Sequence, residues 1–229
     1  MVAPTENVSP EPVVSGGTWP IGERSRNSID MSMSAVEVVA VVATLLSVWL
    51  SVRRNILTWP TGIVGVSAYF VVFLRTRLYA DMTLQLLFFI QCIYGWWAWR
   101  RSTQRAEPPI RTLSMRGRAA VVLGVAALAW LAGTLLTRYT DASAPYWDAT
   151  ASVLSLTANQ MLARRLLENW VLWIVADALY VGIFTFKGLY LSAGLYALFL
   201  AMVIAGLRRW TREYRSGAPN NVALTEAVA

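Results

Sequence analysis

The sequence contains no histidine, and Cys92 is the single cysteine among its 229 residues. The absence of histidine excludes catalytic triads that need an imidazole and metal sites that need histidine ligands. A single cysteine excludes an internal disulfide and a cysteine-based metal site. Charged residues make up only 14% of the chain, whereas an average soluble domain has roughly 25%. This composition argues against an ordinary soluble enzyme, and we expect no cofactor and no bound metal.

The chain is instead rich in long apolar runs. Hydrophobic residues make up 56% of the sequence, and the mean hydropathy is +0.48. A helix that crosses a bilayer needs roughly 17–25 predominantly apolar residues. Six runs meet this requirement, at 35–52, 56–74, 79–99, 119–137, 169–186 and 189–207, and a seventh at 149–163 is shorter and more polar. The runs are continuous rather than alternating, which predicts helices and not the strands of a membrane barrel.

The basic residues lie in short clusters between these runs, as at Arg53-Arg54, Arg100-Arg101 and Arg208-Arg209. This placement is typical of a multi-pass membrane protein and argues against nucleic acid as a partner, although the net charge is +7. Of the 20 lysines and arginines, 14 fall on one side of the predicted spans and six on the other. The positive-inside rule then predicts a protein of the inner (plasma) membrane with a cytoplasmic C-terminus and an external N-terminus.

An internal repeat appears when the chain is shifted by 111 residues against itself. Between residues 45 and 99 the shift gives 16 identities in 55 positions, including Trp59 with Trp170, Tyr69 with Tyr180 and the pair Arg53-Arg54 with Arg164-Arg165. Matched tryptophans, tyrosines and paired arginines are much less frequent by chance than matched leucines, so we infer a duplication. The first span maps onto 149–163, which predicts that this weak segment is also a membrane helix.

The repeat predicts an all-α integral membrane protein with seven transmembrane helices, arranged as two three-helix repeats joined by a linker helix (3+1+3). The extra linker span makes the two repeats parallel rather than inverted. We divide the chain into a disordered tail rich in Pro, Ser and Gly, the first repeat, a basic loop with the linker helix, the second repeat and a C-terminal tail, at 1–33, 34–101, 102–140, 141–212 and 213–229.

Polar side chains inside the predicted spans are candidate site residues because burying them in a bilayer is costly. In the span 169–186, a rotation of about 100° per residue places five side chains within a wedge of about 80°. These are Asn169, Trp173, Asp177, Tyr180 and Phe184. An amide, a carboxylate, a phenol and two further aromatic faces on one stripe suit a flat ligand with polar edges. The alternative is a helix-packing seam, with Asn169 as an end cap and Asp177 in a structural pair.

Two other spans carry polar candidates. Gln85 is the ligand contact that we expect on the third span. Asn159 shares one face of the fifth span with Ser152 and Ser155. A polar face of this kind is expected to line a cavity rather than to meet lipid.

Trp59 in the second span is the remaining candidate contact. It precedes Pro60, and Gly62 and Gly65 follow within two turns. These residues indicate a bend or a close helix approach that lets the halves move. Alternatively, Pro60 occupies the first turn of a helix and has no role in movement.

Several motifs resemble the PnuC family of vitamin transporters. In the first half these are Asn55-Ile-Leu-Thr-Trp59-Pro60-x-Gly62-Ile63, Leu78-Tyr79-Ala80-Asp81-Met82-x-Leu84-Gln85 and Tyr94-Gly95-Trp96-Trp97-x-Trp99. In the second half they are Ala163-Arg164-Arg165, Glu168-Asn169-Trp170-x-x-Trp173 and Lys187-Gly188-Leu189-Tyr190. The similarity covers about residues 35–212 and leaves out only the tails.

The resemblance implies a SWEET-like fold of seven helices with parallel repeats, and uptake of nicotinamide riboside by facilitated diffusion without ion or ATP coupling. The sixth-span pattern of the family falls on Asn169, Trp173, Tyr180 and Phe184, where the family pattern has a more polar aromatic in place of Phe184. Relatives carry riboflavin, thiamine or deoxynucleosides, so transport of a related vitamin or nucleoside is an alternative. A proton-coupled version with Asp177 as the proton site is another.

The sequence therefore predicts a transporter with alternating access, whose partners are a small-molecule substrate and the lipid bilayer. A membrane enzyme would need paired catalytic acids or a nucleophile with its base, and the spans carry no convincing set. A membrane receptor that binds the ligand without passing it is the other alternative. A homo-oligomer is compatible with the sequence, which does not specify the oligomeric state.

Overall fold

In the computed structural model, residues 21–103, 109–140 and 144–217 are described. They form seven α-helices and no strand, apart from one isolated bridge between Arg111 and Leu166. The helices are α1 (Ile21–Val52), α2 (Thr58–Arg75), α3 (Tyr79–Thr103), α4 (Met115–Tyr139), α5 (Pro145–Ala163), α6 (Asn169–Phe186) and α7 (Tyr190–Gly217). The predicted all-α fold with seven helices is confirmed.

Four helices are long and apolar enough by themselves to cross a membrane. The qualifying segments are Ala35–Val52 of α1, Met115–Tyr139, Asn169–Phe186 and Tyr190–Ser216. The weakly apolar segment 149–163 belongs to helix α5. This helix is 19 residues long because it begins at Pro145, one turn earlier than predicted. Proline suits the first turn, where its missing N–H is not needed.

The two predicted tails are shorter than expected where the structure describes them. Helix α1 begins at Ile21, so residues 21–33 are helical rather than disordered. No proline follows Pro20 before the end of α1, and nothing in the composition therefore stops the helix from extending backwards. At the other end α7 continues to Gly217 and includes residues 213–217. The rest of the predicted tails, residues 1–20 and 218–229, lies outside the described residues, as do 104–108 and 141–143 in the predicted connections.

The 111-residue shift relates the helix boundaries of the two halves. Helices α1 and α5 end at Val52 and Ala163, α2 and α6 cover 58–75 and 169–186, and α3 and α7 begin at Tyr79 and Tyr190. We call α1–α3 the first repeat and α5–α7 the second. Because α4 adds one crossing between them, the two repeats start on the same side of the membrane.

The turns that follow the first two helices of each repeat also match under the 111-residue shift. Arg54 and Arg165, which follow α1 and α5, have left-handed backbone angles with φ of 57° and 56°. Arg77 and Gly188, which follow α2 and α6, have φ of 59° and 72°. A single left-handed residue reverses the chain after a helix and satisfies its last carbonyls. The matching angles indicate that the turns were duplicated together with the helices.

Inside each repeat, the second and third helices meet at a buried pair of tryptophans beside a glycine. Trp59 and Trp99 make an edge-to-face contact with centroids 5.5 Å apart, and Trp170 and Trp210 make the equivalent contact at 5.4 Å. A Cβ added at Gly95 would overlap the ring of Trp59, and one at Gly206 would overlap the ring of Trp170. The tryptophan pair and its glycine therefore fix how closely α2 approaches α3, and α6 approaches α7.

The linker helix α4 joins the second repeat. Ser114 caps its start by accepting a hydrogen bond from the N–H of Gly117 at 3.2 Å. Just before the cap, the N–H of Leu113 donates to Oε1 of Glu168, which also accepts from Nε of Arg118. Glu168 thus connects both sides of the start of α4 to the turn between α5 and α6.

The repeats meet where α3 packs against α5. The indole N–H of Trp99 donates to the carbonyl of Ala163 at 3.1 Å. Further along, Nδ2 of Asn159 donates to Oε1 of Gln91 at 3.0 Å, and Nε2 of Gln91 donates to the carbonyl of Leu156 at 3.2 Å. These hydrogen bonds join the first repeat to the second within the membrane-spanning part of the fold.

Candidate functional site

The five side chains of the predicted stripe on α6 differ in exposure in a way that suits a lined site. Asn169 and Asp177 are buried, with 0% and 4% of their surface exposed. Trp173, Tyr180 and Phe184 are half-buried. The two strongly polar groups are thus removed from lipid, while three aromatic surfaces border them.

Aromatic rings of α6 and α7 form a stacked cluster at one end of this stripe. The rings of Tyr180 and Phe184 stack with centroids 6.1 Å apart. Tyr196 of α7 lies 4.6 Å from Tyr180 and 5.2 Å from Phe184, and its other side contacts Phe199 edge-on at 5.7 Å. The cluster forms a packed aromatic surface near Asp177.

Side chains from both repeats converge on this cluster. Tyr69 of α2, Asp81 of α3 and Asp177 lie close enough to the hydroxyl of Tyr196 to interact with it electrostatically. The aromatic cluster beside the predicted stripe is therefore within electrostatic range of groups of the first repeat as well as of the second.

Helix α5 borders the same cluster with the polar face that was predicted to line a cavity. The hydroxyl of Tyr180 lies beside the hydroxyls of Ser152 and Ser155. Ser155 itself donates to the carbonyl of Ala151 at 2.8 Å, so one of its lone pairs is available to accept from Tyr180.

Two buried polar atoms of the stripe have no hydrogen-bond partner among the described residues. Asn169 donates from Nδ2 to the carbonyl of Leu166, but its Oδ1 is unpaired. Oδ2 of Asp177 is also buried without a partner. A buried unpaired acceptor is costly and commonly indicates a missing ligand or water. The stripe therefore offers two acceptors to a donor-bearing or cationic ligand.

The tryptophans of α2 and α6 occupy different surroundings. Trp173 is half-buried and packs against the core cluster that contains Trp170 and Val203. Trp59 is 1% exposed, and its ring is enclosed by Trp99 and by the backbone of Gly95. Trp173 keeps part of its ring exposed, whereas Trp59 has the surroundings of a core residue.

The surroundings of Pro60 and of the α2 glycines distinguish between a bend in α2 and a proline in its first turn. Pro60 is the third residue of α2, which is a first-turn position. A Cβ at Gly62 would come within 3.1 Å of Oγ of Ser47, and one at Gly65 within 2.7 Å of Oγ1 of Thr44. The glycines therefore permit the close approach of α1 to α2.

The structure also gives the surroundings of the two amide candidates outside α6, Gln85 and Asn159. Gln85 is half-buried on α3, about one turn beyond Asp81. Asn159 is buried in the interface between the repeats, where its amide is engaged by Gln91. Gln85 is thus the freer of the two, and the role of Asn159 as a substrate contact stays a prediction.

Sequence reasoning missed two residues of this region. Tyr196 occupies the position in α7 that the 111-residue shift relates to Gln85, so the repeat itself contained the signal. Gln91 has no such signal, because the matching position in α7 is the apolar Met202. Among the described residues, no cluster of three or more Cys, Asp or Glu side chains could hold a metal ion.

Comparisons with known proteins agree with this architecture. The family described as nicotinamide mononucleotide transporter matches residues 34–212. The nicotinamide riboside transporter PnuC of Escherichia coli (strain K12) is 27% identical over 209 residues, covering 80% of this chain and 87% of the relative. The riboflavin/roseoflavin transporter RibM of Streptomyces davaonensis is 26% identical over 188 residues, covering 80% and 88%.

A solved structure extends the comparison to the fold. The crystal structure of the vitamin B3 transporter PnuC matches with a TM-score of 0.68 at 23% identity, over 86% of this chain and 89% of the other. These relatives are named as transporters, in agreement with the predicted absence of an enzymatic role. The match to the family covers most of the chain, including the greater part of each helix in both repeats, and the chain therefore belongs to the nicotinamide mononucleotide transporter family.

Proposed function

We propose that this protein carries nicotinamide riboside into the cell by facilitated diffusion with alternating access. The observation that carries the proposal is the stripe on α6, where Asp177 lies one turn from Trp173 and has a buried Oδ2 without a hydrogen-bond partner. Nicotinamide riboside has a flat aromatic ring with a permanent positive charge, which suits a stacking surface next to a carboxylate. The E. coli relative is named for the same substrate.

The residues take the following roles in this proposal. Trp173 stacks on the nicotinamide ring, and Asp177 faces its positive charge. Asn169 and Gln85 hydrogen-bond the carboxamide or the ribose hydroxyls, and Tyr180 helps to fix the sugar. Phe184 completes the set as a bordering residue, and the roles of Trp59 and Asn159 as substrate contacts stay predictions. Rocking of one repeat against the other exposes the site to each side in turn.

The charge of the stripe favours the riboside over the mononucleotide. The stripe contains one acidic residue, Asp177, and no basic residue. A phosphate group would be repelled by the carboxylate and would find no arginine or lysine on the stripe to pair with. We therefore expect the riboside to bind and the mononucleotide to compete poorly.

Riboflavin is the second candidate, because the chain is about as similar to the riboflavin/roseoflavin transporter as to the riboside transporter. The flavin ring is neutral, so it would gain little from Asp177. Replacing Asp177 by asparagine separates the two substrates. Riboside binding is expected to weaken at least tenfold, about 1.4 kcal/mol, whereas riboflavin binding would change little.

The decisive experiment measures uptake of labelled riboside, riboflavin, thiamine and deoxynucleosides by proteoliposomes that contain the purified protein. Riboside influx that stops at equal concentrations inside and outside supports facilitated diffusion. Trp173→Ala is expected to abolish this influx. Trp130→Ala removes a lipid-exposed tryptophan of α4 and serves as the matched control, with influx unchanged. Impermeability to every substrate would contradict a transport function.

The proton-coupled alternative gives a different result in the same vesicles. An imposed proton gradient would drive the riboside above its external concentration, and Asp177→Asn would remove the accumulation. Facilitated diffusion predicts that the gradient has no effect. The proposed orientation, with a cytoplasmic C-terminus and an external N-terminus, is checked by the accessibility of tags at the two termini in spheroplasts.

A further inference from the structure

A groove between α3 and α4 lies outside the proposed transport site. Its floor is the last two turns of α5, and it has a volume of about 350 Å³. Both α3 and α4 pack against α5, but they make no packing contact with each other among the described residues. The groove is lined by Gln91 of α3, Val121 of α4, and Leu156, Thr157, Gln160 and Arg164 of α5 and its end.

From Leu156 to Arg164 the chain rises about 12 Å along α5 and ends in the arginine-rich turn after the helix. The positive-inside rule places this turn at the membrane surface, and the arginine end of the groove therefore at the level of the lipid head groups and esters. The floor is polar at this depth, because Thr157 and Gln160 line it beside Leu156. Gln91 is already bonded to Leu156 and Asn159, so it does not satisfy the amide of Gln160. Hydrocarbon alone would leave that amide without partners.

Arginines surround the mouth of the groove. Arg164 lines the groove and also a smaller adjoining cavity of about 160 Å³, which Arg111 and Arg165 line as well. Within the part of the chain that the structure describes, no acidic residue lines either cavity. The described carboxylates that form ion pairs do so with Arg54, Arg118, Arg209 and Lys187 instead. Arg111 and Arg164 therefore form no ion pair with a described carboxylate.

The first repeat does not have this arrangement. The 111-residue shift relates Arg164 to Arg53 and Gln160 to Trp49. The guanidinium of Arg53 lies 4.0 Å above the centre of the Trp49 ring, so the arginine is covered by its own helix. In the second repeat a glutamine replaces that ring, and Arg164 faces an open groove. Arg164 therefore lacks the aromatic partner that Arg53 has, which suits a different binding partner for its guanidinium.

We propose that the groove binds one anionic phospholipid. The lipid phosphate pairs with Arg164 and Arg111, the ester carbonyls accept hydrogen bonds from Gln160, and an acyl chain runs along Leu156 and Val121. Basic pockets between membrane helices bind anionic head groups in this way. The lipid fills the space between α3 and α4 and holds α4 against the interface of the two repeats.

The test compares melting temperatures in nanodiscs of phosphatidylcholine with and without phosphatidylglycerol. The symmetric bilayer makes the result independent of the orientation of the protein. The anionic lipid is expected to raise the melting temperature of the unaltered protein. Arg164→Gln is expected to lose most of this increase, and Gln160→Leu part of it. Arg208→Gln alters an exposed arginine on the same predicted side but outside the groove, and it should keep the full increase.

Native mass spectrometry supplies a second measurement on the same variants. The unaltered protein and Arg208→Gln should retain one phosphatidylglycerol that Arg164→Gln loses. Equal losses in Arg164→Gln and Arg208→Gln would overturn the proposal, because they would indicate general surface attraction. Equal stabilisation by inorganic phosphate in neutral detergent would overturn it in favour of a soluble anion. A change of oligomeric mass in Arg164→Gln would overturn it in favour of an interface between copies.

Discussion

The two repeats share a framework and differ at three of the residues that are expected to touch substrate. The edge-to-face tryptophans, their glycines and the left-handed turns occur in both at the same spacing. The stacked pair Tyr69 and Phe73 in α2 likewise matches Tyr180 and Phe184 in α6. These shared features determine how the helices of a repeat pack, and packing is needed equally in both halves.

The differences concentrate on one face of α6. Trp173 corresponds to Gly62, Asp177 to Val66 and Asn169 to Thr58. In the first repeat this face is closed, because Thr58 exchanges hydrogen bonds with Ser47 and Gly62 lies against α1. In the second repeat the same positions carry an indole, a carboxylate and an amide. One repeat has a packing face where the other has a polar one, which favours a single asymmetric site.

The largest expected effect comes from the shared tryptophans. Trp59→Ala and Trp170→Ala each remove a side chain that is 1% exposed, so both should lower the free energy of unfolding by about 3 kcal/mol. Trp173→Ala should cost much less stability because its ring is only half-buried, while it abolishes uptake. Thermal unfolding in detergent and uptake in proteoliposomes measure the two effects. Equal destabilisation by Trp170→Ala and Trp173→Ala would contradict the division between framework and site.

The glycines beside the tryptophans give the next effect. Gly95→Ala and Gly206→Ala force a Cβ into a tryptophan ring and should each cost about 1–3 kcal/mol. Gly194→Ala in the same helix as Gly206 is the matched control, since nothing lies within 4 Å of its added Cβ. Alanine is the better helix former, so the control should be neutral or slightly stabilising. Unfolding temperatures of the three variants decide whether close approach or helix propensity dominates.

Much of the framework could be predicted from the sequence because both of its signals, the apolar runs and the repeat, extend over many residues. The apolar runs predicted six spans, and the repeat supplied α5, whose segment was too short and polar for hydropathy to identify. The start of α1 at Ile21 was missed because a polar segment with serine and charged residues reads as a tail, although no proline interrupts it.

The candidate site could be predicted only along one helix. A rotation of 100° per residue groups Asn169, Trp173 and Asp177, but it does not give the helix that faces them. Tyr196 and Gln91 lie on other helices, and their neighbours depend on how α3, α5 and α7 pack. Pairing between helices is set by tertiary contacts, which a single sequence does not specify.

The hydrogen bond between Asn159 and Gln91 provides a smaller test, since the shift relates these residues to Val48 and Met202. Asn159→Val and Gln91→Met each leave one amide unpaired in the membrane and should cost about 1 kcal/mol. The double variant removes both amides and should regain most of that loss. A double-mutant cycle of unfolding free energies measures the coupling. Additive losses would indicate that the two amides act independently.

The smallest effect concerns the turns after α2 and α6, where Arg77 and Gly188 share a left-handed backbone. Nothing lies within 4 Å of a Cβ added at Gly188, so Gly188→Ala reports the backbone cost alone. That cost should be about 1 kcal/mol, because a Cβ disfavours positive φ. Arg77→Gly relieves the same strain but gives the unfolded chain more freedom, so its net effect should stay below about 0.5 kcal/mol. Unfolding temperatures of both variants check the asymmetry, and a larger loss for Arg77→Gly than for Gly188→Ala would show that the side chain of Arg77, rather than its backbone, holds the turn.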